Sequence, residues 1–281
     1  MTAQILQISA AEYHAIKAVS NSGITKLMDE TPAHFQYWLD NPDPQSESML
    51  VGSVFHCLGL EPDEFANRYH RMEYSRTTKA GKAEEAAATA AGLEILTASQ
   101  YGLAKALADA ALSDRWIGCL LTSPTARKEV SVFWTENVDG ISIPCKARLD
   151  YMDEIRNFGL LVMDLKSSKT AHPLKLRRVI RERGYHRQAW WYRRGLQQVG
   201  LEPRKHLLAV VEKTPPYIVT PANIDGEAME RGEYECLKAL SIYAQCARND
   251  YWPGYTDKII DIGLEPWAYR KDTDNDAEFA G

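Results

Sequence analysis

Residues 141–168 read ISIPCKARLDYMDEIRNFGLLVMDLKSS, and this stretch decides the fold. β-Branched and aliphatic residues fill both halves, while the turn-like RNFG lies between them. The pattern predicts two antiparallel strands, 141–155 and 159–167, joined by a tight turn. The preceding EVSVFWT, residues 129–135, has the same character and is followed by the turn-like ENVDG. The three segments together predict an antiparallel meander.

The hairpin has a chemical consequence. Antiparallel pairing about a turn centred on Asn157 puts Asp150 opposite Asp164, so the two carboxylates should face each other. Asp164 and Lys166 are two residues apart on one strand and therefore project from the same face. Carboxylates this close favour a cation between them, and Mg²⁺ or Mn²⁺ suits hard oxygen ligands. Lys166 would then orient or deprotonate a water. A surface ion-pair cluster remains the alternative, because Asp–x–Lys is a common triplet.

The segments outside the meander predict the fold class. Helical patterns come before it, and a basic helical stretch, a strand and a long helix come after it (9–40, 48–60 and 97–119; then 173–199, 206–213 and 222–249). We expect an α/β fold with a mixed central sheet flanked by helices. Residues 1–265 are expected to form a single domain, with a helical part at about 1–125 and a core at about 126–255. An acidic flexible tail should follow at 266–281.

Composition excludes several classes of protein. The 281 residues are 45% hydrophobic and 25% charged, which is ordinary globular composition. The N-terminus lacks a cationic start followed by an apolar core, and no apolar run is long enough for a membrane span, so we expect neither export nor membrane insertion. The five cysteines are scattered without a CxxC pair, which argues against disulfides, a zinc ribbon and an iron–sulfur cluster. A reducing cytoplasm fits these features.

Charge is distributed unevenly along the chain. Residues 166–194 carry ten Lys or Arg and one acid, a local charge of +9 in a chain of net charge −5, which leaves −14 elsewhere. A solvated helix face normally intersperses acids for i, i+4 pairing, so this strip favours contact with a polyanion at one groove. The candidate phosphate contacts lie in the strip and in the exposed stretch 74–91: Arg177, Arg178, Arg181, Arg187, Arg76, Lys79 and Lys82.

A second pattern lies within the basic strip. GYHRQAWWYRRGL, residues 184–196, spaces Tyr185, Gln188 and Tyr192 at i, i+3 and i+7, so these side chains share one helix face directly after the Asp–x–Lys strand. We expect this face to reach the site and a phosphate. The alternative is that Tyr192 simply packs in the core.

Five segments in this order and spacing resemble the PD-(D/E)xK nucleases of the RecB type, in particular the exonuclease VIII (RecE) nuclease domain. They are GSVFH (52–56), KEVSVFW (128–134), KARLD (146–150), VMDLKSS (162–168) and GYHRQAWWY (184–192). The resemblance runs from about residue 22 to residue 255 and implies a restriction-endonuclease-like core of order αβββαβ. It implies metal ligation by His56, Asp150, Asp164 and the Leu165 carbonyl, Lys166 as the catalytic lysine, Glu129 near a second metal, and Gln188 and Tyr192 as the QxxxY motif that positions DNA or the site.

The resemblance also implies an activity. The family hydrolyses linear double-stranded DNA from its ends with Mg²⁺, for which Mn²⁺ substitutes, in the 5′ to 3′ direction. It leaves 3′ single strands for a RecT-like annealing recombinase, and its members are ring-like tetramers in a bacterial or phage-infected cytoplasm. We therefore expect a homo-oligomeric exodeoxyribonuclease. The alternatives are a structure-selective or restriction-like endonuclease and a non-catalytic DNA-binding recombination factor.

Overall fold

The computed structural model describes residues 2–269. The strands are β1 Gln4–Leu6, β2 Tyr69–Arg71, β3 Glu94–Leu96, β4 Arg127–Val138, β5 Ile141–Ile155, β6 Gly159–Ser168, β7 Lys205–Glu212 and β8 Val219–Asn223. The α-helices are α1 Ala10–Ala15, α2 Asn21–Asp29, α3 Pro32–Asp40, α4 Glu47–Leu60, α5 Phe65–Arg68, α6 Lys79–Ala90, α7 Ala98–Ser113, α8 Arg115–Leu121, α9 Pro173–Arg183, α10 Tyr185–Gln198 and α11 Gly226–Asn249.

The central sheet is mixed, as the sequence predicts. Its strand order is β1-β4-β5-β6-β7-β8, and all neighbours are antiparallel except the parallel pair β6 and β7. The helices between β6 and β7 form the crossover that a parallel pair requires. Helix α4, the meander β4–β6, the helices α9 and α10, and β7 together give the expected αβββαβ order.

The hairpin register agrees with the prediction. The pairs Tyr151↔Met163 and Met152↔Val162 both centre the turn on Asn157. The next position along the hairpin holds Asp150 and Asp164, just beyond the last paired residues. On the other side of β5, the pairs Lys128↔Tyr151 and Val130↔Leu149 bracket Glu129 and Asp150. Glu129, Asp150 and Asp164 therefore occupy one row across three strands.

Two apolar clusters cover the two faces of the sheet. One contains Trp191 of α10 and Val162 of β6, together with residues of α2, α3 and α11. The other contains Phe55 of α4 and Leu165 of β6, together with residues of α7 and α8. Alternation along β6 thus directs even-numbered residues toward α10 and odd-numbered residues toward α4. The site described below lies where both layers meet the row of acids.

Regular alternation stops at the row of acids. Leu149 packs in the cluster on the α10 face, whereas Tyr151, two residues later, packs in the cluster on the α4 face. Glu129, opposite Asp150, has a left-handed φ of 52°. This conformation is uncommon for a residue with a Cβ, and outliers of this kind concentrate at functional sites. The predicted antiparallel meander is confirmed, and only the alternation of its side chains between the two faces breaks at this position.

Other boundaries differ from the expectations. The stretch 173–199 is two helices, because Gly184 adopts φ 64° between them. Residues 219–223 form the edge strand β8, and α11 starts only at Gly226, where Asp225 caps it. The N-terminal part is not purely helical, since β1 joins the central sheet and β2 pairs with β3. Residues 79–90 of the exposed stretch are helical.

Only the start of the expected acidic tail lies within the described residues. Residues 266–269 form a short 3₁₀ helix, and residues 270–281 lie outside the described range. Among residues 2–269, no helix combines the length and the apolar content that crossing a bilayer requires.

Candidate active site

Three side chains from three elements form a group of metal-binding donors. One ligand atom from each of His56 on α4, Glu129 on β4 and Asp150 on β5 lies within 4.8 Å of the others. His56 Nε2 is also 2.6 Å from the Leu165 carbonyl oxygen, and His56 Nδ1 is 3.5 Å from Asp150 Oδ2. Carboxylate and carbonyl oxygens suit a divalent cation of the Mg²⁺ and Mn²⁺ class, and the imidazole is a ligand that transition-metal ions accept more readily than Mg²⁺. The donor set therefore fits the group that the resemblance implies.

Close packing of α4 on β6 places His56 over this group. A Cβ on Gly59 would come within 3.0 Å of Leu165 Cδ2. The absence of a side chain at Gly59 allows the helix to approach the strand, and His56, one turn earlier, reaches the Leu165 carbonyl. Asp150 is fixed from the other direction, because its Oδ2 accepts a hydrogen bond of 2.9 Å from the Leu165 N–H.

Glu129 and Asp150 lie close enough for their carboxylates to repel each other. Burial and the neighbouring Asp150 raise the pKa of Glu129. Arg148 partly offsets this effect by donating from Nε to Glu129 Oε2 at 2.7 Å. A bound divalent cation would favour the ionised form of Glu129. The electrostatics thus agree with the donor chemistry.

Asp164 forms a second part of the site, on the α10 side of the sheet. It is fully buried, and its carboxylate accepts from His206 Nε2 at 2.5 Å and from Gln188 Nε2 at 3.3 Å. Lys166 Nζ lies 3.6 Å from Asp164 Oδ1. The Asp164 oxygens therefore face His206, Gln188 and Lys166. The third member of the donor group with His56 and Asp150 is Glu129. Metal ligation by Asp164 stays a prediction.

Asp164 and Lys166 stabilise each other's charge. Burial opposes ionisation of Asp164, but Lys166 and His206 together lower its pKa. Burial likewise opposes the Lys166 ammonium, yet Asp164, Asp150 and Tyr185 raise its pKa. The Lys166 ammonium also lies 5.4 Å from the centre of the Tyr185 ring, within cation–π range. Lys166 is thus held as a cation at the edge of the donor group.

The predicted face of α10 reaches the site. Besides contacting Asp164, Gln188 Nε2 donates to the Tyr192 hydroxyl at 2.8 Å. Burial, followed by the charges of Asp164 and Asp150, raises the pKa of Tyr192, which keeps its hydroxyl neutral. Tyr192 also packs in the apolar cluster of that face. It therefore meets both expectations, as a core residue and as a neighbour of the site.

One predicted phosphate contact is corrected. Arg187 is only 3% exposed and donates to both carboxylate oxygens of Asp29 at 2.8 Å, with Glu235 at 3.6 Å from its Nε. It ties α10 to α2 and α11 and cannot contact a phosphate at the surface. The other candidates are exposed, and their contact with DNA stays a prediction (Arg76, Lys79, Lys82, Arg177, Arg178 and Arg181).

Two residues near the acids were not predicted. His206 is the second residue of β7, where the apolar HLLAVV indicates only a buried strand. Its parallel pairing with Val162 brings it beside Asp164. Arg148 precedes Asp150 by two residues in KARLD and binds Glu129. For His206 the only sequence signal is a polar side chain next to the apolar run LLAVV. Arg148 lies between Lys146 and Asp150 in a strand with several charged residues, so nothing in the sequence distinguishes it.

Comparisons with known proteins agree with this geometry. The family model described as "PDDEXK-like domain of unknown function (DUF3799)" matches residues 20–262. No curated protein sequence matches the chain. The match confirms the expected PD-(D/E)xK nuclease superfamily and its fold, and it supports nuclease chemistry.

Comparison with solved structures gives matches at low sequence identity. A crystal structure of an Eubacterium rectale protein, provisionally described as an exonuclease, has a TM-score of 0.56 at 13% identity and covers 92% of this chain and 96% of that one. SSO0001 has a TM-score of 0.38 at 14% identity, with 81% and 80% of the two chains covered. Rai1 of Scheffersomyces stipitis has a TM-score of 0.30 at 10% identity, with 81% and 68% covered. Only the first score supports a shared fold.

Proposed function

This chain belongs to the PDDEXK-like family DUF3799, and on that premise we propose that it is a divalent-metal-dependent nuclease. One observation carries the proposal: the donor group of His56, Glu129 and Asp150 adjoins the buried ion pair of Asp164 and Lys166. A surface ion-pair cluster would not require burial of Asp164, nor a histidine from another layer. The arrangement supports hydrolysis of a phosphodiester at this point.

In this proposal each residue of the site has its own role. A divalent cation held by His56, Glu129, Asp150 and the Leu165 carbonyl would neutralise charge that develops on the phosphoryl oxygens. Lys166 places an ammonium where it can orient a water or a phosphate oxygen. Gln188 holds Asp164 against Lys166. Glu129 and Asp150 present the negative charge that attracts the cation.

We further propose that the substrate is linear double-stranded DNA and that the enzyme is a Mg²⁺-dependent exodeoxyribonuclease acting 5′ to 3′. This part is supported by the five motifs shared with the exonuclease VIII type. It includes the expected homo-oligomer, the cytoplasmic location and the handing of 3′ single strands to an annealing recombinase.

The test compares linear and covalently closed circular duplex DNA, each incubated with Mg²⁺ and the wild type, Lys166→Ala or Asp164→Asn. We expect loss of the linear substrate only, and a fall in rate of at least about 10²-fold in both variants because a charge beside the reacting phosphate is removed. Circular dichroism checks that the variants fold. End-labelled substrates determine the direction of degradation.

Each alternative has its own outcome in the same experiment. Cutting of the closed circle would replace the exonuclease by an endonuclease. DNA binding without any cleavage by the wild type would favour a non-catalytic recombination factor. Equal cleavage rates in the wild type and the folded variants would show that this site does not catalyse the reaction.

A further inference from the structure

Two lysines lie side by side at the carboxyl edge of the sheet, next to the candidate active site. The parallel strands β6 and β7 end together at the pair Ser168↔Glu212, so Lys169 and Lys213 follow at the same edge. A hydrogen bond of 2.8 Å from the Lys213 N–H to the Ser168 carbonyl fixes this arrangement. Ligands of open α/β sheets bind at the carboxyl ends of strands.

A third cation and a cavity complete the arrangement. Arg183, the last residue of α9, joins Lys169 and Lys213 in lining a cavity of about 720 Å³. The same cavity is lined by Lys166 and His56 and therefore opens onto the candidate active site. The first turn of α4 also borders it, which adds the partial positive charge of a 14-residue helix.

The three cations lack acidic partners among the residues that the structure describes. Within residues 2–269, none of Lys169, Arg183 and Lys213 forms an ion pair, and the one acid lining the cavity, Glu182, is bound by Arg178 at 2.6 Å. Burial, followed by Arg183 and Lys169, lowers the pKa of Lys213. Lys213 Nζ donates to the Ser48 hydroxyl at 2.7 Å, which holds it in the cavity wall. Uncompensated like charges around a cavity are typical of an anion site.

We propose that Lys169, Arg183 and Lys213 form a subsite for a second backbone phosphate of the nucleic acid, adjacent to the phosphate that is cleaved. The inference rests on the proposed function and deepens it. The subsite holds the substrate strand in register with the donor group, and it selects a polynucleotide over a small phosphoester because a small phosphoester has no second phosphate to place there. Contacts of this kind carry no base preference.

The test measures binding of a linear duplex to the full-length protein in EDTA, by fluorescence anisotropy. Wild type is compared with Arg183→Gln, Lys213→Gln and their combination. Lys238→Gln, an exposed lysine of α11 that does not line the cavity, is the matched control. We expect each single cavity variant to lower the slope of log K against log salt by about 1, the double variant to lower it by about 2, and the control to leave the slope unchanged.

A methylphosphonate scan of the strand identifies the phosphate. At one position the neutral group should weaken binding to the wild type by about tenfold and weaken binding to the double variant much less, because that variant keeps only Lys169 of the three cations. Identical scans for the wild type and the double variant would overturn the subsite.

Failure of the subsite is distinguishable from failure of the proposed function. Cleavage of the unmodified duplex with Mg²⁺ tests the function, whereas the scan in EDTA requires binding only. A wild type that cleaves DNA but gives the same scan as the double variant overturns the subsite alone.

Discussion

At the scale of single residues, the contact between His206 and Asp164 decides how the site is arranged. Asp164 has no exposed surface, and its shortest contact is the 2.5 Å hydrogen bond from His206. A buried acceptor that loses its donor is costly, because no water replaces it. His206 is therefore a positioning residue, which acts by holding the carboxylate.

Replacing His206 tests this role. His206→Phe keeps an aromatic ring but removes the donor, so we expect the free energy of unfolding to fall by roughly 1–3 kcal/mol and DNA cleavage to slow. His206→Gln retains a side-chain N–H and should recover part of both. Urea unfolding and cleavage rates measure the two effects. A Phe variant as stable and as active as the wild type would contradict the role.

Several residues of the site could be predicted from local sequence, and others could not. Asp150, Asp164 and Lys166 follow from strand period and turn position, because these are local rules. Arg187 could not be placed correctly, since its helix face alone does not reveal that Asp29 and Glu235 lie opposite it. His56 and His206 depend on pairing between distant elements, which no short pattern specifies; for His56 the family resemblance was needed.

At the scale of elements, the left-handed Gly184 separates α9 from α10 and sets the direction of the helix that carries Gln188. A Cβ at this position would lie 2.5 Å from Arg187 Nε. Gly200, after α10, has φ 79°, and a Cβ there would have no atom within 4 Å. Both glycines have the left-handed backbone conformation, but only at Gly184 would a Cβ contact another residue.

We expect Gly184→Ala to destabilise the protein more than Gly200→Ala. The left-handed conformation alone costs each variant about 1–2 kcal/mol. Gly184→Ala must in addition displace Arg187 from its contacts with Asp29, and the cleavage rate should fall with it. Urea unfolding of both variants gives the difference. Equal losses of unfolding free energy in the two variants would show that the contact with Arg187 adds nothing to the destabilisation.

Lys146 on β5 fastens the N-terminal segment to the sheet. Its Nζ donates to the carbonyls of Tyr13 at 2.8 Å and Ile16 at 2.7 Å. Burial lowers the pKa of Lys146 from 10.5 to about 8. Between these two values the unfolded chain binds more protons than the folded protein, so the stability that this lysine contributes rises with pH.

The pH dependence of stability therefore has a predicted sign. The free energy of unfolding of the wild type, relative to that of Lys146→Met, should increase as the pH is raised from about 8 to 10.5. Below pH 8 the difference should be constant. Urea titrations at several pH values measure it. If the free energy of unfolding of the wild type relative to Lys146→Met fell between pH 8 and 10.5, that result would contradict the burial of an ionisable Lys146.

Most elements of the catalytic region could be predicted because their patterns are strong. The meander, β7 and α10 have clear periodicity, and the turn at Asn157 fixes the hairpin register. The interruption at Glu129 and Asp150 could not be predicted, because the sequence there contains no glycine to signal an unusual backbone. The edge strand at 219–223 was missed, and its last two residues were assigned to the following helix, because five residues give little periodicity.

At the scale of the whole molecule, the donor group predicts that stability depends on divalent cations. A ligand that binds only the folded state stabilises it by about 2.7 kcal/mol at a concentration one hundred times its Kd. For a chain of this size we expect Mn²⁺ at that ratio to raise the Tm by about 5 °C or more.

Variants show whether the effect comes from this site. Asp150→Asn should lose most of the shift in Tm, whereas Asp109→Asn, an exposed acid of α7, should keep it. Differential scanning calorimetry with and without Mn²⁺ provides the measurement. If Mn²⁺ raised the Tm of Asp150→Asn as much as that of the wild type, the cation would bind at another site.

The site draws His56 from the layer on one side of the sheet and Gln188 from the layer on the other. Neither layer alone contains the full set of groups, so the arrangement exists only where both layers pack on the strands. For the proposed nuclease, a fragment that lacks either layer is therefore expected to be inactive.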